Sequence, residues 1–283
     1  MDDTAIAAAL TQYQAEGYAV LRRVFAPDEI ADIAAAFDRH WAEGMAHGRT
    51  FRHGNLLYRL GRDPRLGRIV RLVQWPSYGD PVLEAVRRDP RYLAILAPLI
   101  GTDIKQIINQ LHWKPPGAAA AEFAFHQDAR FRRPASAYRN LATSYVQTGI
   151  AIDPHRAANG AMRVYPGSHR LGSKPSLAGA APVLDQAMAD ERLVAIGLDP
   201  AKLVVLELDP GDVAFWNVYT IHGSGPNTTS GDRRFYLNGY VRAADCDRGE
   251  WAFRDGAPCV LGEPVLVHYE DLATRPGPHY VEE

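Results

Sequence analysis

The chain reads as mainly β with flanking helices, a jelly roll whose front is covered by helical segments. Three observations predict this. From residue 102 onward, short alternating apolar runs are separated by Gly- and Pro-rich turns, as many short strands require. Before residue 102, apolar residues recur at helical spacing instead. Across all 283 residues no Ser/Gly/Pro linker, low-complexity tract or internal repeat divides the sequence, and large all-β barrels often run this long as one unit.

Taken in order, residues 6–16 predict a small amphipathic helix, 18–21 a short strand, and 27–42 a second helix. That helix is opened by Pro27, with Asp28 and Glu29 in its first turn, where proline fits and carboxylates meet the positive helix end. Residues 81–88 and 90–99 predict further helix, all of it buttressing the sheet. The candidate strands are 104–114, 142–152, 161–165, 203–208, 213–222 and 233–241. One domain is expected over 1–283: a mostly helical buttress at 1–101, a jelly-roll core at 102–245 with an insertion at 171–200, and a C-terminal extension at 246–283. The insertion, with a helical piece around 185–195, is a candidate cover for a site, because long connections in compact domains are often lids.

Composition limits the function classes. A hydrophobic fraction of 47% supplies a sizeable core, and a net charge of −2 gives no reason to expect nucleic acid or an anionic membrane surface as partner. Cys246 and Cys259 form neither a C-x-x-C nor a zinc-like pattern. The start, Met1-Asp2-Asp3-Thr4, is acidic, no signal-type apolar core follows, and the apolar run 93–100 is broken by Pro98. A cytoplasmic protein acting on a small molecule is the expectation.

The chemistry concentrates in His126-Gln127-Asp128, His222 and Arg233. In an extended segment alternate side chains share a face, so His126 and Asp128 can grip one ion while Gln127 points elsewhere. A third ligand must then come from a distant segment. His222 is the candidate, at the end of a strand-like run from Asp212 on the face of Trp216, Val218 and Thr220. Two imidazoles and one carboxylate, with the other positions open, make the facial triad of non-heme Fe(II) oxygenases. Arg233 falls on the apolar face of Phe235, Leu237 and Val241, an expensive place for a guanidinium unless a carboxylate pairs with it. Singly, His222 also reads as a hydrogen-bonded core histidine, Arg233 as a structural ion pair, and Trp216 as core packing.

At these residues the chain resembles the phytanoyl-CoA dioxygenase family of Fe(II)- and 2-oxoglutarate-dependent oxygenases. The resemblance runs through residues 14–20, Lys114-Pro115-Pro116, His126-Gln127-Asp128, residues 159–169, Pro210-Gly211-Asp212-Val213, residues 222–227 and Arg233. It implies a double-stranded β-helix, a cupin-like jelly roll, with N-terminal helices packed on the sheet. It implies Fe(II) held by His126, Asp128 and His222, and 2-oxoglutarate and O2 as cosubstrates. Ser224 and Arg233 would clamp the distal carboxylate of 2-oxoglutarate, with Gln110 as a further contact. The residue at 128 is a carboxylate, whereas related halogenases have a small residue there, so an oxygenase is implied. The expected outcome is hydroxylation of an unactivated C–H bond with release of succinate and CO2. The same iron site also serves desaturation, cyclisation or epimerisation, and a rival class is a non-catalytic metal- or ligand-binding jelly roll.

Other residues carry two readings each. Ile108, Gln110, His112 and Lys114 share one strand face, where Gln110 and Lys114 either meet the cosubstrate or sit solvated at the barrel mouth. Gln127 either orients a ligand or the cosubstrate, or faces the surrounding shell. His169, in Pro166-Gly167-Ser168-His169, belongs to a structural turn rather than to the metal set. The arginines at 49, 52, 59, 62, 130, 132 and 133 either line the mouth for an anionic substrate or form a solvated basic surface.

Overall fold

Capping sets the first elements. In the computed structural model, which describes residues 2–118, 122–174, 190–265 and 275–281, α1 (Asp3–Glu16) begins where the Asp2 carboxylate accepts from the Thr4 amide at 3.1 Å. After β1 (Tyr18–Leu21), α2 (Pro27–His47) opens with Pro27 and with Glu29 accepting from the Ala26 amide at 2.7 Å. It runs five residues past the expected end at 42. Then come β2 (Phe51–His53), β3 (Leu56–Asp63), β4 (Gly67–Gln74), α3 (Pro81–Arg87) and α4 (Pro90–Ile100). The second half contains β5 (Ile104–Lys114), β6 (Phe123–His126), α5 (Leu141–Ser144), β7 (Tyr145–Ala151), β8 (Met162–Val164), α6 (Asp190–Ala195) and β9 (Val204–Val205). It closes with β10 (Val213–Asn217), β11 (His222–Ser224), β12 (Arg233–Arg242), β13 (Glu250–Arg254), β14 (Ala257–Pro258) and β15 (His279–Tyr280).

The strands form two antiparallel sheets. The larger runs β1-β10-β7-β12-β5-β4-β3-β2-β15, with β13 added on β5 and β14 on β13; the smaller runs β6-β11-β8-β9. The fold is the double-stranded β-helix. Alternation assigns the faces of the large sheet: Leu111, Ile150, Phe215, Tyr236 and Tyr240 pack outward against Ile33 and Phe37 of α2, Leu83 of α3 and Tyr92, Ile95 and Leu96 of α4. Ala151, Ala214, Trp216 and Phe235 point inward, against Met162 and Val164 of the small sheet. The front helices therefore bury one face of the sheet, and the other faces the small sheet, whose strands carry His126 and His222.

Four details depart from the sequence reading. Within the supposed helical front, β2, β3 and β4 are strands that extend the large sheet past β5. The strand expected at 142–152 starts at Tyr145, after the helical turn α5. The single run expected at 213–222 is two strands in different sheets, because the chain turns after Asn217, whose carbonyl accepts from the Thr220 amide at 2.9 Å. Trp216 and His222 therefore do not share a strand face; the corner brings their rings to 5.4 Å instead. In the 171–200 connection, residues 190–195 are helix, while the remainder of the expected helical piece, 185–189, lies outside the described residues. Among the described residues no helix is long and apolar enough to cross a membrane.

Candidate metal centre

Sheet register brings the two histidines together. β6 and β11 are neighbours, and His126 stands directly opposite His222, with ring centroids 4.3 Å apart. Gln127 remains extended, and Asp128 opens a short 3-10 turn that folds its carboxylate back between them. Asp128 Oδ1 lies 3.7 Å from His126 Nε2, and Oδ2 lies 3.9 Å from His222 Nε2. The three donor atoms fall within 4.8 Å of one another, and all three side chains are largely buried.

The tautomers follow from the backbone. His126 Nδ1–H donates to the Ala124 carbonyl at 2.8 Å and His222 Nδ1–H to the Thr220 carbonyl at 2.9 Å, so each Nε2 keeps its lone pair for the shared centre. Burial pushes the His222 imidazole down to about 4, which leaves it neutral and able to ligate at neutral pH. Burial alone would raise the Asp128 carboxyl, but the imidazoles of His222 and His126 and the Arg132 guanidinium outweigh it and keep Asp128 ionised. Two N donors and one carboxylate in a half-open arrangement fit Fe(II).

Trp216 supplies what the sequence reading missed. Its Nε1–H donates to Asp128 Oδ2 at 2.9 Å, so the indole aims a candidate ligand as well as packing the core. Trp216→Phe is expected to keep the fold and weaken iron binding roughly 10- to 100-fold, the usual cost of losing an outer partner of a ligand, measured by competition with a chelator. Gln127 is tied into the structure, with Nε2 donating to the Gly172 and Tyr219 carbonyls at 2.8 Å and Oε1 accepting from the Lys174 amide. His169 is not part of the cluster.

A second cluster lies at the start of β12, where Arg233 pairs in register with Lys114 of β5. Both are buried, at 4% and 1% exposure, so Lys114 is not a solvated mouth residue. Arg233 Nη2 donates to the Gly160 carbonyl at 2.8 Å, while its Nε is buried with no partner among the described residues. Burial pushes the Arg233 guanidinium down to about 9, and burial together with the Arg233 charge pushes the Lys114 ammonium well down. Lys114 Nζ donates to Ser224 Oγ at 2.7 Å and to the Gly225 carbonyl. Gly160 is required here: its φ is +74°, and a Cβ would strike the Gly225 carbonyl oxygen and come within 3.1 Å of Lys114 Cδ. A buried guanidinium with an unpaired donor beside a buried amine is an arrangement that an anion would stabilise.

Gln110 lies on the same inward face of β5, its Oε1 accepting from His112 Nε2 at 2.9 Å. Burial pushes His112 down to about 3. Unfolded histidines take up protons below about 6.5, whereas His112 and His222 do so only near 3 and 4. Metal-free protein is therefore expected to lose stability as pH falls from about 6.5 to 4, by up to about 1.4 kcal/mol per pH unit for each, and to be flat on this account above pH 7. Urea midpoints across that range test it, and a His112→Asn variant should show the shallower slope.

The family model described as phytanoyl-CoA dioxygenase (PhyH) matches residues 13–235. A probable alpha-ketoglutarate-dependent hypophosphite dioxygenase of Stutzerimonas stutzeri is 27% identical over 247 residues, covering 82% of this chain and 77% of that protein. An ectoine dioxygenase of Stutzerimonas stutzeri (strain A1501) is 26% identical over 261 residues, covering 85% and 79%. The crystal structure of EctD from S. alaskensis with 2-oxoglutarate and 5-hydroxyectoine superposes with a TM-score of 0.64 at 19% identity, covering 91% of this chain and 85% of that one.

Proposed function

Because the chain belongs to the phytanoyl-CoA dioxygenase family, and is an Fe(II)- and 2-oxoglutarate-dependent oxygenase, we propose that it hydroxylates an unactivated C–H bond of a small organic substrate, releasing succinate and CO2. In this reading His126, Asp128 and His222 hold the iron, and Arg233 holds the cosubstrate. The observation that carries it is the convergence of two Nε2 lone pairs and one carboxylate, in a fold that also buries a guanidinium whose Nε has no partner among the described residues.

When bound, iron with 2-oxoglutarate and O2 supplies the oxidising power, with decarboxylation of the cosubstrate driving C–H oxidation. The protein supplies placement. His126 and His222 are aimed by their own backbone carbonyls, and Asp128 is aimed by Trp216. Arg233 and Lys114 offset the distal carboxylate of 2-oxoglutarate, so Lys114 joins the clamp. Ser224 Oγ accepts from Lys114, which leaves its own proton to donate to that carboxylate. Gln110, its Oε1 taken by His112, has an amide N–H to offer the cosubstrate. Phe235 and Trp216 place buried apolar surface beside His222, keeping bulk water from the reacting centre.

The test is anaerobic titration of metal-free protein with Fe(II) and 2-oxoglutarate, following the weak visible band of the chelate. A band that needs both additions supports the proposal, followed by succinate release and an oxygenated product in a substrate screen. Absence of the band from folded, metal-loaded protein would overturn it.

A further inference from the structure

We propose that the substrate carries an oxyanion, a carboxylate or a phosphorus oxyanion, and that the Arg132 guanidinium binds it on the side of the metal ligands away from Arg233. The proposal deepens the reading above and rests on it.

Of the three arginines that follow the candidate ligands, Arg133 is exposed and Arg130 half-buried, whereas Arg132 is 3% exposed. Its Nε donates to the Asp128 carbonyl at 3.4 Å, its guanidinium lies 5.2 Å over the Tyr145 ring, and Nη1 is buried with no partner among the described residues. Among the described residues no carboxylate oxygen lies within ion-pair distance of it; its charge acts on Asp128 only from further off. A buried guanidinium left this way is costly. Arg87 shows how this fold treats a structural one: fully buried, it donates Nε to Gln106 Oε1 at 2.6 Å, Nη1 to the Cys259 carbonyl at 3.0 Å and Nη2 to the Trp251 carbonyl at 2.6 Å. Arg132 has one long bond where Arg87 has three.

The surroundings of Arg132 lead back to the metal ligands. The Tyr145 hydroxyl donates to Gln147 Oε1; Gln147 pairs in register with Trp216; Trp216 donates to Asp128, from whose carbonyl Arg132 hangs. Gly239, opposite Gln147 on β12, lets this group settle onto the sheet, since a Cβ there would strike the Tyr145 hydroxyl and approach Gln147 Oε1 at 2.7 Å. Arg233 and Gly239 are six residues apart on the inward face, roughly 20 Å along the strand. One cation therefore stands at the Arg233 end of that face and another beyond its Gly239 end, where Asp128 is held by Trp216. The 2-oxoglutarate carboxylate uses the Arg233 end. The Arg132 end is left for an anionic group of the substrate.

The test is calorimetric titration of anaerobic protein loaded with Fe(II) and saturating 2-oxoglutarate, which keeps the Arg233 end occupied. The probes are acetate, phosphite, hypophosphite and neutral acetamide. At least one anion is expected to bind and acetamide is not, with acetate against the phosphorus anions distinguishing the two sources. Arg132→Met should weaken the anion at least tenfold. Arg132→Lys, which keeps the charge but not the planar fork, should weaken it at least threefold and serves alone if the Met variant does not fold. Failure of every anion to bind wild type, equal binding of acetamide, or unchanged affinity in the variants would overturn the proposal. Anion binding that depends on Arg132 in protein that forms no chelate band would remove the oxygenase reading and leave the anion site standing.

Discussion

Replacing His222 by alanine is expected to lower succinate release at least ~10³-fold, because a bound metal contributes several kcal/mol to the reaction and the change removes one of three donors. His126→Ala should match it, since the two imidazoles face each other across β6 and β11 and neither has a spare nearby among the described residues. The readouts are succinate release and iron content after dialysis, with near-wild-type circular dichroism as the check on folding. Iron content equal to wild type in both variants would remove these residues from the metal site.

Arg233→Met is expected to raise the KM for 2-oxoglutarate roughly 100-fold, the effect of losing charge-assisted, forked hydrogen bonds of about 2.7 kcal/mol in total. The same change should leave ligand-free protein as stable as wild type or more so, because it removes a buried cation that has no carboxylate at ion-pair distance among the described residues and crowds Lys114. Thermal melts with and without 2-oxoglutarate separate the effects: wild type should gain stability from the cosubstrate, and the variant should gain far less. An unchanged KM would move the distal carboxylate elsewhere.

How much of this was legible in the sequence depends on the range of each signal. His126 and Asp128 were readable from their two-residue spacing, His222 from the Gly- and Pro-bounded run that leads to it, and β5 and β12 from long alternation. Arg233 was legible as a charge on an apolar face. The strands β2 to β4 escaped because arginines and glycines interrupt their alternation, as in Leu57-Tyr58-Arg59-Leu60-Gly61-Arg62. The corner after Asn217 escaped because Val218 to Ile221 keeps an alternating pattern while the backbone turns. Trp216 in an apolar run reads as core, and only the partner of its Nε1, 88 residues away in the chain, shows its second role. Arg132 could not be told from Arg130 and Arg133, since burial there is decided by the turn that Asp128 begins.

The hydrogen bonds of the two histidines have a consequence for how such a site changes over time. Each ring is aimed by a carbonyl two residues earlier in its own chain, Ala124 for His126 and Thr220 for His222. Two of the three donors therefore carry their orientation within a tripeptide, and the cavity walls can be recut for a new substrate without re-aiming them. Asp128 is different, since its direction is set by an indole on the opposite sheet. It is the candidate ligand through which remodelling of the pocket would reach the metal, and so the one that would tie the range of substrates to the reactivity of the centre.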